Sequence, residues 1–129
     1  MISKLAEDIY AKSIQLKKYN VKRLLLKRNR IKLLSELNEI QALIDSLLAC
    51  LQNNSSFSSS YIELATFMQN SLLECIHFLT SKNCNYRQTV CCYIWGFHNL
   101  PRAFFPVENS MRVSPDKAMA YYRPYLKLD

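Results

Sequence analysis

Leu33–Leu51, LLSELNEIQALIDSLLACL, is the stretch whose reading decides the fold. Leu33, Leu37, Ile40, Ile44, Leu47 and Leu51 recur at spacings of 4-3-4-3-4. At about 100° per residue this places all six on one face of an α-helix. The run covers fewer than the three to four heptads that specify a coiled coil. The seam therefore reads as packing inside a helical bundle, with a homodimer contact as the other option.

Upstream of the seam the phase is lost. Ile2, Leu5, Ile9, Leu16 and Tyr19 follow a looser stripe interrupted by Lys12. From Val21 to Leu34 the apolar positions spread around most of a helix circumference. Residues 2–53 hold no Pro or Gly, so one long rod and a hairpin of two helices are both open. The helix macrodipole favours the hairpin, because a single rod would carry its cations first and its acids last. A break near Tyr19–Asn20 leaves Glu7 and Asp8 early in the first helix and Lys17 and Lys18 at its end. Asn20 is then expected to cap the second helix.

The same region carries the most informative charge pattern. Between Ile9 and Ser35 stand nine basic side chains and no acidic one: Lys12, Lys17, Lys18, Lys22, Arg23, Lys27, Arg28, Arg30 and Lys32. Leu33 to Asn53 reverses this with Glu36, Glu39 and Asp45 and no Lys or Arg. Of the net charge of +7, residues 1–53 hold +5 (ten basic, five acidic). Such a segment seeks phosphate, an acidic protein surface or its own acidic half. Arg23, Arg28 and Arg30 have the geometry to fork onto phosphates or guanine edges. A helix-turn-helix reader, however, presents one polar face to its groove, and here cations and apolar residues interleave on several sides. The same mixing argues against a helix lying on an anionic membrane.

Downstream, Asn53–Ser60 is polar and low in complexity and reads as a connector over 54–60. Ser60 and Glu63 have capping-box spacing, so a helix is predicted from Tyr61. Its inner face is Tyr61, Leu64, Ala65, Met68, Leu72, Cys75, Ile76 and Leu79, and it frays near Ser81–Asn85. Tyr86–Phe97 has helical spacing but β-preferring residues; helix is preferred, because a lone strand would have no partner. Pro101 and Pro106 bracket Arg102-Ala103-Phe104-Phe105. Two adjacent phenylalanines on a short turn do not easily both point inward, so Phe104 and Phe105 are expected to form an exposed aromatic patch. Ser114-Pro115-Asp116 starts a final helix that ends before Pro124.

Gly96 is the only glycine, which speaks against sheets and against phosphate-cradling loops. No apolar run reaches the roughly 20 residues that span a bilayer. Glu7 and Asp8 interrupt any export signal, so the five cysteines read as reduced thiols of a cytoplasmic protein. Cys75, His77, Cys84, Cys91, Cys92 and His98 raise the question of zinc. No pair has the two-thiolate knuckle spacing; on a helix Cys75 and His77 diverge by about 200°, and Cys91 and Cys92 also point apart. Thiols packing as small hydrophobes are the reading, with no metal or cofactor. Cys84 with a histidine base lacks a third ordering group, and the ten acids are spread thinly, so no catalytic site is expected.

The expected architecture is an all-α single domain over 1–129. Residues 1–53 would form the hairpin or long N-terminal helices, packed on a smaller Cys- and aromatic-rich helical subdomain over 61–129. The expected function is a non-enzymatic cytoplasmic adaptor, regulator or chaperone working through helix-mediated protein contacts, as a homodimer. The Leu33–Leu51 seam and Phe104/Phe105 would be buried on association, and the basic block would steer toward an acidic partner. The alternative is a nucleic-acid-binding transcriptional regulator using the Lys12–Lys32 block.

Overall fold

Among the described residues the chain forms five α-helices and several short 3₁₀ turns, with no strand. The computed structural model describes residues 1–54, 56–81 and 86–126. The N-terminal half is a hairpin of α1 (Ile2–Gln15) and α2 (Lys27–Gln52). The break that separates them is longer than one turn. Leu16–Lys18 closes α1 as a 3₁₀ turn, Tyr19 leaves in extended backbone, and a second 3₁₀ turn, Arg23–Leu25, leads through extended Leu26 into α2. The Asn20 side-chain oxygen accepts the Arg23 backbone N–H at 2.8 Å. Asn20 is thus a cap, but of that short turn rather than of α2.

α2 packs against both α1 and α3 (Ser59–Thr80). Between them Leu33, Leu37, Ile40, Ile44, Leu47 and Leu51 lose all exposure within a single copy. The seam is a packing seam of one chain, and no area of it is left for the homodimer contact expected above. α3 starts earlier than its predicted residue, Tyr61, so Ser60 lies inside the helix and the capping box is not formed. The Ser58 and Ser60 hydroxyls hydrogen-bond each other instead, at 2.9 Å. The inner face of α3 otherwise follows its periodicity, with Leu64, Ala65, Met68, Leu72, Cys75 and Leu79 buried and Tyr61 and Ile76 half-buried. Of the fraying segment Ser81–Asn85, residues 82–85 lie outside the described residues.

α4 (Arg87–Gly96) is helical despite its β-preferring composition, because Val90, Cys91, Tyr93 and Ile94 are buried and the helix packs on α3. Two 3₁₀ turns follow, Phe97–Asn99 and Pro101–Phe104, and both pack against α1. Here the expected aromatic patch is corrected: Phe104 and Phe105 are each only 4% exposed. The backbone switches from the 3₁₀ turn to extended at Phe105, so the two rings face different walls of the core. Phe104 meets Tyr61 of α3 at 5.6 Å between ring centres, and Phe105 meets Tyr10 of α1 edge-on at 5.3 Å. Residues of both halves thus belong to one buried cluster, from Ala6 to Tyr122.

α5 (Pro115–Tyr122) begins as its sequence implies, with the Ser114 hydroxyl accepting the Lys117 N–H at 3.2 Å. The 3₁₀ turn after it, Arg123–Tyr125, lays the Tyr125 ring over Gly96. Gly96 has no positive φ. It is required because a Cβ there would sit 2.2 Å from Tyr125 Cδ2 and 2.5 Å from Cγ.

Gly96→Ala should therefore lower the unfolding free energy by about 1–3 kcal/mol, the cost of overpacking a fitted contact. In a Tyr125→Ala background the same alanine should add almost nothing. Urea unfolding of the four proteins checks this, and an equal cost in both backgrounds would sink the assignment.

Candidate functional site

The basic block runs over the end of α1, the break and the first two turns of α2. Leu16, Tyr19 and Leu24 point into the core along this path. Lys17, Lys18, Lys22, Arg23, Lys27, Arg28 and Lys32 are left exposed, and Arg30 is half-buried. The break resets the helical phase, yet not every apolar residue goes inside. Leu25, Leu26 and Ile31 are 55%, 49% and 58% exposed among the cations. In the sequence these leucines and Ile31 lie in a stretch whose apolar residues keep to no single helix face. The signal that marks Ile31 as a surface residue is its position about 160° from Leu33, across the helix from the seam.

The cations divide into two groups by what holds them. Lys12 pairs with Glu39 at 3.1 Å and Lys18 with Glu36 at 2.8 Å, so α2's own acids take up part of the block. Both pairs reach solvent and contribute at most about 1 kcal/mol each. Arg30 is tied to the backbone, its Nη1 donating to the carbonyls of Leu24 at 2.8 Å and Leu25 at 2.9 Å. Among the described residues Lys17, Lys22, Arg23, Lys27, Arg28 and Lys32 make no ion pair.

The break that presents these side chains is pinned at Tyr19. Its hydroxyl donates to Glu36, and its carbonyl accepts from Trp95 Nε1 of α4 at 2.7 Å. The Lys18 ammonium lies 5.3 Å from the centre of the same ring. Burial, reinforced by the bond to Glu36, pushes the Tyr19 hydroxyl well above the ordinary phenol range.

Where α2 starts, it faces the end of α3 and the start of α4 across a groove of about 650 Å³. Lys27, Arg30, Ile31 and Leu34 line one side, and Leu79 and Arg87 the other. Arg87 lies far outside the basic block, and only the fold brings it there. A second hollow on α2 shares Ile31 and Leu34 and continues to Ala42.

Among the described residues no three His, Cys, Asp or Glu side chains could hold a metal ion. Cys84, considered above as ligand and nucleophile, lies outside the described residues. Burial pushes the Cys75 thiol far up, and the Cys91 thiol up to about 12. At neutral pH both stay protonated and pack as small hydrophobes. His77 is exposed on α3, whereas His98 packs edge-on against Tyr10, with ring centres 6.0 Å apart. Burial first, then the nearby charges of Lys17 and Arg102, lower the His98 pKa; the Trp95 carbonyl offsets this only in part.

No described helix is long and apolar enough to cross a membrane. No protein-family model, curated protein or solved structure matches this chain.

Two stability effects are expected from this geometry. Tyr19→Phe should cost about 1.5 kcal/mol, since it removes a hydrogen bond to a carboxylate. An unchanged urea midpoint would show that the break does not depend on it. For His98 the folded pKa lies below the unfolded value, so its contribution is complete above about pH 6.5. It is lost as pH falls through the folded pKa, because the unfolded chain binds the proton more readily. His98→Gln should flatten that acid limb in a series of melts from pH 7.5 to pH 5, about the window in which histidine titrates.

Proposed function

We propose that this protein is a non-enzymatic interaction module, of adaptor, regulator or chaperone type. It binds an acidic and partly apolar segment of another protein at the surface where α2 begins. The observation that carries the reading is the composition of that helix start. Lys27, Arg28, Arg30 and Lys32 occupy its first two turns, with no acid in the first turn and no side-chain cap. Each cation near a helix N-terminus is unfavourable by about 0.3–1 kcal/mol. Lys27 and Arg28, in the first turn, recover none of this through ion pairs with the described residues. Natural sequences break local rules in this way mostly where a surface has work to do, and carboxylates of a partner would offset the cost.

The exposed Leu25, Leu26 and Ile31 favour protein over nucleic acid. Phosphates would engage the cations and leave these apolar side chains uncovered, whereas a protein interface buries apolar and basic surface together. The nucleic-acid reading remains the rival, because Lys17, Lys22 and Arg23 continue the unpaired ridge.

The test is a displayed-peptide selection on the purified protein, run beside an anisotropy titration with a random labelled duplex at several salt concentrations. Enrichment of sequences combining Glu or Asp with Leu, Ile or Phe is expected, with binding weakened at least tenfold by Lys27→Glu/Arg28→Glu/Lys32→Glu, about 1.4 kcal/mol or more. Duplex binding that falls steeply with salt, without any peptide enrichment, would overturn the proposal in favour of nucleic acid.

A further inference from the structure

The cations are not spread evenly around the start of α2. Lys27 and Arg30 stand with Arg87 of α4 around one groove, which has Ile31, Leu34 and Leu79 among its apolar lining. No acidic side chain lines it among the described residues. Arg30 is held by the Leu24 and Leu25 carbonyls, so its guanidinium is oriented before any ligand arrives. The Nε of Arg87 is buried without a hydrogen-bond partner among the described residues. A buried donor left unpaired is costly, so the Arg87 side chain is incompletely satisfied within the chain.

The shape argues for an extended occupant. Ile31 and Leu34 also border the hollow lined by Ser35, Asn38, Glu39 and Ala42. The two hollows adjoin at Ile31 and Leu34, and their lining together runs along α2 from Lys27 to Ala42, roughly 22 Å at 1.5 Å per residue. A small anion would fill only the basic end. An amphipathic helix of about 15 residues would fill the whole length, its apolar stripe over Ile31 and Leu34. Its carboxylates would meet Lys27, Arg30 and Arg87 at one end. Building on the acidic-partner reading above, we infer that the occupant is an acidic amphipathic α-helix of a partner protein, seated in this trough along α2.

The experiment uses the full chain and a labelled synthetic peptide of about 15 residues, leucines on one helical face and glutamates clustered at one end. A shuffled peptide of identical composition serves as control. Circular dichroism reports helix formation on binding. The amphipathic peptide should bind, gain helix, and lose about tenfold in affinity with either Ile31→Asp or Arg87→Gln. The shuffled peptide should bind far more weakly. Ile31 is exposed, so Ile31→Asp carries the test even if Arg87→Gln lowers the melting temperature. Equal binding of both peptides would mean charge attraction alone and would overturn the trough. Affinity unchanged by Ile31→Asp and Arg87→Gln but reduced by Leu26→Ser would move the contact elsewhere, sinking the trough while the acidic-partner reading stands. No binding of either peptide to the native protein would sink both.

Discussion

Burial of the Leu33–Leu51 face of α2 is the interaction on which the other elements depend. Six leucines and isoleucines with no residual exposure line the contact of α2 with α1 and α3. Each contributes about 1.5–3 kcal/mol relative to an exposed position. That is several times the electrostatic cost of any one misplaced cation at the start of the same helix. Packing along the seam therefore lets α2 begin with a charge pattern that an isolated helix would resist. The uncapped, cationic first turns survive because the later turns hold the helix in place.

Apolar burial pairs the helices but does not direct the chain between them. That task falls to polar ties around Tyr19. Its hydroxyl engages Glu36 of α2 and its carbonyl receives the Trp95 indole of α4, so one residue joins the break to two helices. These bonds are directional where hydrophobic contact is not, and they hold the break in the path that turns Lys17, Lys22 and Arg23 outward. Arg30 then closes the turn by taking up the Leu24 and Leu25 carbonyls. The basic block is thus partly structural: Lys12, Lys18 and Arg30 serve the fold, and the remainder face solvent. A partner acting at this surface would meet charges whose backbone is already fixed, which lowers the ordering cost of binding.

Much of this was legible in the sequence, and the failures have specific causes. The seam and the Ser114 cap follow from local periodicity or local hydrogen bonding; the helix over Tyr86–Phe97 follows from the lack of a strand partner, and the hairpin is favoured over a rod by the macrodipole alone. The start of α3 was misplaced because Ser58, Ser59 and Ser60 are chemically alike and a capping-box spacing is common by chance. Phe104 and Phe105 were misassigned because one rotation of the backbone at Phe105 sends two adjacent rings to separate walls, and adjacency alone does not reveal it. Scarcity of glycine argues against sheets but does not explain why Gly96 itself is needed. Its actual reason, the Tyr125 ring lying on Gly96, joins residues whose meeting depends on α5.

By itself, then, the sequence determined that the chain is helical, which face of α2 carries the apolar seam, and that an unbalanced positive segment precedes an acidic one. These are properties of neighbours within a turn or two, and the chain displays them directly. Only the tertiary structure decided that the seam is consumed within one copy, that Leu25, Leu26 and Ile31 remain outside, and that Arg87 joins Lys27 and Arg30 around one groove. Those outcomes depend on how α1, α3 and α4 share the circumference of α2, a competition among distant side chains for one buried volume that no local pattern records.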